Sequence, residues 1–453
     1  MGKELAIFTN TYPYGSGETF LADEVPFVFK EFEKVHIFPL YIPAGPEGEL
    51  CRKTPQNSIV YQPLLNTDHK DKLGLLLSGL LNFAPIGFAL KEFTAKKVYS
   101  GKKRMRLWSS YLCILRSILG NRKKMQELLS VLENCSCAYF YWGDKSALTI
   151  PFLKKKLAAG NCPKFMVRFH GSDIYEEAKG YLPFREMLYG AIDYAVPVSG
   201  NGKEYIEKNY SNKPQNITVH HLGSHWHSDA CPNLGAPVPQ QEGAADTTGA
   251  YNIISCSNVI ELKRVHLLAT AMLILERDKE LAGLLAAKGI SHICWTYIGD
   301  GPLLEPIKEM IIQNGIPEGE EESTVPVAFN FTGAMPHAKV MEYYQTHYTD
   351  LFIQASRSEG IPVSIMEALS FGTPVLATDV GGVSELIPPN CRCGKLIPKD
   401  ITAQELAQYI KGWIQKSVEL PEFDLALAAR KHWEGNWDCS RNYAEFAQFL
   451  KSI

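Results

Sequence analysis

Two glutamates frame the part of this chain best equipped for chemistry. Glu359 and Glu367 stand on either side of Gly360-Ile361-Pro362-Val363, which follows the apolar run Leu351–Ala355 and leads into Ser364-Ile365-Met366. Glu359 is expected to end a strand, Gly360 to let backbone approach a ligand closely, and Pro362 to open a helix. The first N–H groups of a helix lack internal partners and carry partial positive charge, so they can hold a diphosphate. Ile365, Ala368 and Leu369 form the expected buried face and leave Glu367 off it. A carboxylate there can accept two hydrogen bonds from a cis-diol such as ribose. Glu359, across the phosphate position, can accept from sugar hydroxyls. Taken alone, the same two residues read equally well as solvated charges at a helix start.

These residues need a scaffold that brings strand ends and helix starts together. Strand-like runs alternate with helical patterns, the mark of parallel α/β layers. The first half offers Leu5–Thr9, Val35–Tyr41, Cys137–Trp142, Phe165–His170, Tyr194–Val198 and Ile217–His221. The second offers Asn252–Ser257, Ile293–Gly299, Val327–Thr332, Leu351–Ala355 and Pro374–Ala377, with helices at Val265–Glu276, Pro302–Asn314 and Pro336–Gln345. Two open sheets follow, with ligand sites at the carboxyl ends of their strands. The expected division is 1–228 with a basic and apolar helical insert at about 70–125, a linker or loop at 229–250, a second domain at 251–435, and a C-terminal helix at 436–453 returning to the first.

Composition sets the outer bounds. The 453 residues suit two or three domains, and 45% hydrophobic content is normal for globular cores. A net charge of −3 gives no general attraction to nucleic acid, and no nucleic-acid motif is present. Eleven scattered cysteines, with no leader at the start, read as reduced cytosolic thiols, and Cys391-Arg392-Cys393 as incidental. Leu73–Leu90 runs without a charge but holds Gly74, Gly79, Asn82, Pro85 and Gly87, which suits a buried or interfacial helix better than a span.

The second half as a whole narrows the reading. Glu359-x7-Glu367, Phe371-Gly372-Thr373-Pro374-Val375, Gly381-Gly382-Val383-Ser384-Glu385, Ile298-Gly299-Asp300-Gly301-Pro302 and Phe331-Thr332-Gly333 together resemble the retaining glycosyltransferases of family 4. That resemblance implies an α/β GT-B fold, two Rossmann-like domains facing each other across a donor-binding cleft. It also implies transfer from a nucleoside-diphosphate sugar, a substrate and not a cofactor, to a glycan or polyprenyl-linked acceptor. In the family the first glutamate contacts the donor sugar and the second the ribose, while the residues between them present amides, here Gly360, Ile361 and Val363, with Pro362 opening the helix. Lys263 matches the family's phosphate-binding lysine, but Asn258 stands where an arginine is usual; Arg264 or a first-domain residue is expected to compensate. Gly333 falls in the donor-binding pattern, Gly15 and Gly17 in the expected Gly-rich donor loop, and His170-Gly171-Ser172-Asp173 in the active-site histidine segment. An epimerase of the same fold, or a non-catalytic donor-binding subunit, remains an alternative.

No metal is expected. The chain contains no Asp-x-Asp pair, and His221, His225 and His227 lack a zinc spacing. From Lys91 to Lys124 there are eleven Lys or Arg residues and one acid, Glu92. Lys96, Lys97, Lys102, Lys103, Arg104 and Arg106, with Trp108, Leu112 and Leu115, suggest docking on an anionic membrane leaflet, hence a cytoplasmic or peripheral inner-face location; the plainer reading is a solvated basic face over a core-facing helix.

Overall fold

A computed structural model describes residues 3–49, 51–65, 85–157, 161–225, 231–236, 249–315, 325–419 and 422–453. The chain forms two compact units: Met1–Leu222 with Cys439–Ile453, and Gly223–Asp438.

Unit 1 is built on β1 (Glu4–Thr9), β2 (Lys34–Pro39), β3 (Ser58–Val60), β4 (Cys135–Phe140), β5 (Lys164–Phe169), β6 (Tyr194–Pro197) and β7 (Asn216–Ile217). They form one parallel sheet in the order β3-β2-β1-β4-β5-β6-β7. Leu5 and Ile7 of β1 face one core and Ala6 and Phe8 the other, so this central strand is apolar on both sides. Helix Thr19–Phe29 and helix Cys439–Ser452 cover the first face. Within it Arg168 and Glu24, both fully buried, pair at 2.8 Å. Tyr139 donates to the same carboxylate at 2.7 Å, and the guanidinium lies 4.3 Å from the Phe446 ring centre. The C-terminal helix is thus keyed into the unit by a charge pair with its own hydrogen bonds.

Unit 2 carries β8 (Ala250–Cys256), β9 (His292–Ile298), β10 (Val327–Gly333), β11 (Leu351–Gln354), β12 (Val375–Thr378) and β13 (Gly394–Ile397), parallel in the order β10-β9-β8-β11-β12-β13. Helices Val265–Leu275 and Ala403–Ser417 pack on its core. Both units are Rossmann-like α/β sheets.

Several expectations need correction. Of the stretch read as a linker, 231–236 is an integral piece of unit 2: Asn233 exchanges two hydrogen bonds with the Thr349 backbone, at 2.6 and 2.9 Å. The rest of Ser228–Ala250 lies mostly outside the described residues, as do Leu73–Ala84 and His227. Cys391 and Cys393 are joined in a disulfide, because the turn before β13 brings their Cα atoms within 5.3 Å; the other nine cysteines are thiols. The basic insert folds as helices Ile86–Ala95, Lys102–Gly120 and Arg122–Leu132. Its apolar stripe turns inward: Leu115 is buried, and Trp108 and Leu112 pack against the core of unit 1. Those three side chains therefore do not form a membrane-inserting face. No helix among the described residues is long and apolar enough to cross a membrane.

Candidate functional site

In an open parallel sheet, ligands settle beyond the carboxyl ends of the two strands at which the strand order reverses. In unit 2 those strands are β8 and β11. The loop after β8 carries Lys263, in the turn Glu261–Lys263, and the loop after β11 carries Glu359. Their side chains meet, Nζ to Oε1, at 2.5 Å. The strand itself stops at Gln354, so Glu359 belongs to the loop. Gln354, buried, also donates its Nε2–H to Glu359 Oε1 and to Ser356 Oγ. Both contacts use Oε1, which leaves Oε2 for a ligand hydroxyl.

The loop is held by close backbone packing. Gly381 has φ +56°, and a Cβ there would lie 1.8 Å from the Glu359 carbonyl oxygen. Gly382 N–H donates to Gly360 O at 2.7 Å. On the β8 side, a Cβ on Gly299 would lie 1.9 Å from Ser257 O. The paired glycines read in the sequence thus press one loop onto another with no side chain between them. Gly333 ends β10 at φ +73°, its carbonyl accepting from Gly299 N–H at 2.9 Å.

Helix Val363–Ser370 starts directly after Pro362, with the amides of Val363 and Ser364 ahead of its first internal acceptor and Ile361 buried beside them. Glu367 is buried, with 7% of its surface exposed, contrary to the expectation that it lies off the covered face. The helix is enclosed on all sides, from Val363 and Ile365 through Ser370. The carboxylate is satisfied by His337, whose Nε2–H donates to Oε1 at 2.7 Å. Asn258 is exposed. Arg264 does not replace the missing arginine: its guanidinium donates to the carbonyls of Ala355, Ser356 and Lys399 at 2.6, 3.1 and 2.9 Å, which fixes the loop behind the site.

The equivalent position in unit 1 lies between β1 and β4. The Gly15–Gly17 loop is there, and the turn just before it is held from within by Glu18. The Glu18 carboxylate accepts from the backbone of Asn10, Thr11 and Tyr12 at 2.9, 2.7 and 2.6 Å, and from Trp142 Nε1 at 2.7 Å. The amides of Asn10, Thr11 and Tyr12 are thus taken up by the protein's own carboxylate. Gly15 makes the turn at φ +74°, and Arg52 donates to the Gly17 carbonyl at 2.6 Å. The Trp142 ring in turn lies against His170, centre to centre 4.4 Å.

His170 follows β5 and is buried, its Nε2–H donating to Tyr141 O at 3.1 Å. Burial, reinforced by the Arg168 charge, pushes its pKa down to about 3, so the ring is neutral near pH 7. Asp173 accepts from the amides of His170 and Gly143 at 2.6 and 2.7 Å and ties the ends of β5 and β4 together. Burial raises its pKa to about 7 despite the Arg185 charge. Among the described residues His221 and His225 join no group with metal-ligand spacing.

Sequence reasoning missed Gln354, His337, Glu18 and Trp142. Glu18 offered a signal, an acid directly after a Gly-rich turn and before a helix. Gln354 and His337 offered none, because their role depends on which strand ends become neighbours.

Comparison with known proteins adds the following. Residues 244–431 match the family described as glycosyl transferases group 1. TuaC of Bacillus subtilis, assigned to teichuronic acid biosynthesis as a glycosyltransferase, is 33% identical over 28% of this chain and 27% of its own length. The amylovoran biosynthesis glycosyltransferase AmsK of Erwinia amylovora is 29% identical over 35% of this chain and 37% of its own. The chain thus spans about a quarter to a third of these relatives. In fold, it is similar to Anabaena Alr3699/HepE, a structure in complex with UDP and glucose, with TM-score 0.61 at 14% identity over 99% of this chain and 100% of that one. Residues 244–431 are therefore a glycosyl transferases group 1 domain, and the chain that contains it has the two Rossmann-like units of the GT-B fold.

Proposed function

We propose that this protein transfers a sugar from a nucleoside diphosphate to a hydroxyl of a glycan or lipid-linked saccharide, with retention of configuration, in the assembly of a cell-surface polysaccharide. The observation that carries the reading is the Lys263–Glu359 pair at the reversal point of the unit 2 sheet, directly before the start of a helix that carries Glu367 about one turn in. The relatives named for teichuronic acid and amylovoran biosynthesis support the polysaccharide setting, and the UDP and glucose bound by HepE support the donor class.

In this reading Lys263 and the amides of Gly360, Ile361 and Val363 stabilise the departing diphosphate. Glu359 Oε2 accepts from a hydroxyl of the transferred sugar, while Lys263 and Gln354 hold its other oxygen. Glu367 accepts from the ribose diol. The acceptor belongs to unit 1, and its hydroxyl proton passes to an oxygen of the leaving phosphate as the new glycosidic bond forms. His170, neutral and donating to Tyr141 O, supplies a polar ring edge and no proton. Positive side chains and helix amides take the place of a divalent ion at the diphosphate.

The test screens UDP-, GDP- and ADP-sugars for hydrolysis and then for transfer to membrane-extracted acceptor, before and after exhaustive chelation. One donor should support transfer, with activity surviving EDTA. Product epimerised at C2 without transfer would indicate an epimerase. Loss of activity with EDTA, restored by Mg²⁺ or Mn²⁺, would exclude the metal-independent mechanism.

A further inference from the structure

The strongest unexplained feature lies in unit 1, beside the histidine but outside the groups used above. Arg185 is buried, 2% exposed, and Nε, Nη1 and Nη2 all lack a hydrogen-bond partner. A buried guanidinium nearly always makes its hydrogen bonds, because stripping it of water without replacement is unfavourable. Two further orphaned atoms accompany it: Asp144 Oδ1 and Tyr189 OH, both buried.

These groups share the carboxyl edge of the sheet. β4 and β5 are parallel neighbours, so 141–145 and 170–173 leave the sheet side by side, joined by the bond from Gly143 N–H to Asp173. Helix Arg185–Tyr189 packs against the turn Lys145–Thr149. Lys145 and Lys179 are half-buried, and Lys145 holds a left-handed backbone, φ +23°, unfavourable for a side chain of its type. Each charge perturbs the others: Lys179 is pushed down by burial, with Asp144 and Asp173 opposing and Arg185 and Lys145 adding to that shift. Asp173 makes no hydrogen bond to the arginine; its two oxygens accept from the His170 and Gly143 amides. Three cations thus gather at an edge where Asp144 Oδ1 and Tyr189 OH are the oxygens without a partner.

Resting on the transferase reading, we propose that this edge is a subsite for an anionic group carried by the acceptor saccharide, a phosphate or a carboxylate. Arg185 is its buried anchor, Lys145 and Lys179 form its mouth, and Asp144 accepts from a hydroxyl of the same sugar. A neutral acceptor would leave the guanidinium unsatisfied, so the site discriminates for charge. It lies at the carboxyl ends of β4 and β5, one strand along from the reversal point between β1 and β4.

Titration calorimetry on the full chain tests this with three probes: glucose, glucose 6-phosphate and glucuronic acid. One charged sugar should bind about tenfold or more tightly than glucose, and whichever does so separates phosphate from carboxylate. The Lys145→Ala/Lys179→Ala variant should lose that margin. Because unit 2 is also proposed to hold phosphate, Lys263→Ala must keep it. Equal binding of the three probes, a margin that survives in the double variant, or one that vanishes in Lys263→Ala would each overturn the proposal. Arg185→Met tests the anchor; should it fail to fold, Lys179→Gln, at a half-exposed position, supplies the same comparison. Donor hydrolysis by the wild type is measured separately: its absence defeats the transferase reading, whereas these titrations alone decide the subsite.

Discussion

Lys263 Nζ and Glu359 Oε1 lie 2.5 Å apart, on loops that follow two adjacent strands, with Gln354 donating to the same oxygen. The pair does more than balance charge: with Gln354 it engages one oxygen of Glu359 and fixes the carboxylate's orientation. The two residues should therefore act as a unit. Lys263→Met and Glu359→Gln are each expected to lower transfer at least tenfold, and the double variant to lose less than the sum of the two. A double-mutant cycle on kcat/KM should give a coupling of about 0.5–3 kcal/mol. Strict additivity would show that the pair is incidental.

Glu367 differs in being buried and held by His337. Glu367→Gln keeps the shape but removes the charge that a ribose diol would meet. Charge-assisted hydrogen bonds are worth about 1.5–3 kcal/mol, so donor KM should rise roughly ten- to a hundredfold. His337→Ala, which removes only the support, should give a smaller rise. Unchanged donor kinetics in both folded variants would remove Glu367 from the site.

His170 and Asp173 make opposite contributions to acid stability. With a folded pKa of about 3, the histidine favours the folded state fully above its ordinary value of 6.5, and loses that contribution as pH falls toward 3. Asp173, raised to about 7, stabilises below 3.8 and loses its contribution as pH rises through 7. Removing the histidine isolates the second effect. Thermal midpoints of wild type and His170→Asn, taken from pH 4 to 7, should show the variant gaining relative stability as pH falls. A constant difference would mean that the ring is not held neutral.

Glu18 occupies the amide cradle of the first loop and anchors Trp142 beside His170. Glu18→Gln places an NH2 group among three backbone donors and should cost about 1–3 kcal/mol of stability, read by urea denaturation. Turnover should fall more than donor affinity, since Glu18 acts on the packing of Trp142 against His170 and not on the unit 2 residues proposed to hold the diphosphate. A loss confined to donor KM would instead identify the loop as a phosphate site.

The membrane prediction changes with the buried stripe. Lys102, Lys103 and Arg106 are exposed beside Met105 and Tyr99, whereas Arg104 stacks on Tyr181 and donates to Lys96 O. Charge reversal at Lys102, Lys103 and Arg106 alone should weaken binding to anionic vesicles by about 1 kcal/mol per residue, with the wild-type interaction fading at high salt. Equal co-sedimentation of the two proteins would make this a solvated face.

Much of the scaffold was legible because central parallel strands are apolar on both faces: the runs at Leu5–Thr9 and Ile293–Gly299 needed no partner to be recognised. β3 and β13 escaped. Ser58–Val60 is a three-residue edge strand with Ile59 exposed, and Gly394–Ile397 has only one buried position, so neither carries a strong pattern. The Glu359 and Glu367 positions were readable from spacing, but their burial and partners were not. Those depend on residues far apart in sequence, such as His337 and Lys263, which only the strand order brings near. Arg264 shows the same limit: a guanidinium beside Lys263 suggested phosphate, yet three carbonyls claim it.

The buried contact of Arg168 with Glu24 and Phe446 has a consequence for how the protein is made. Unit 1 is discontinuous: its sheet comes from the first 222 residues, but Phe446, Ala447 and Leu450 complete one of its cores. Unit 2, contiguous from Gly223 to Asp438, can close as soon as it leaves the ribosome. Until the last helix is made, that core lacks Phe446, Ala447 and Leu450, so a chain stalled before Cys439 should expose the apolar surface beside Tyr139 that helix Thr19–Phe29 alone does not cover.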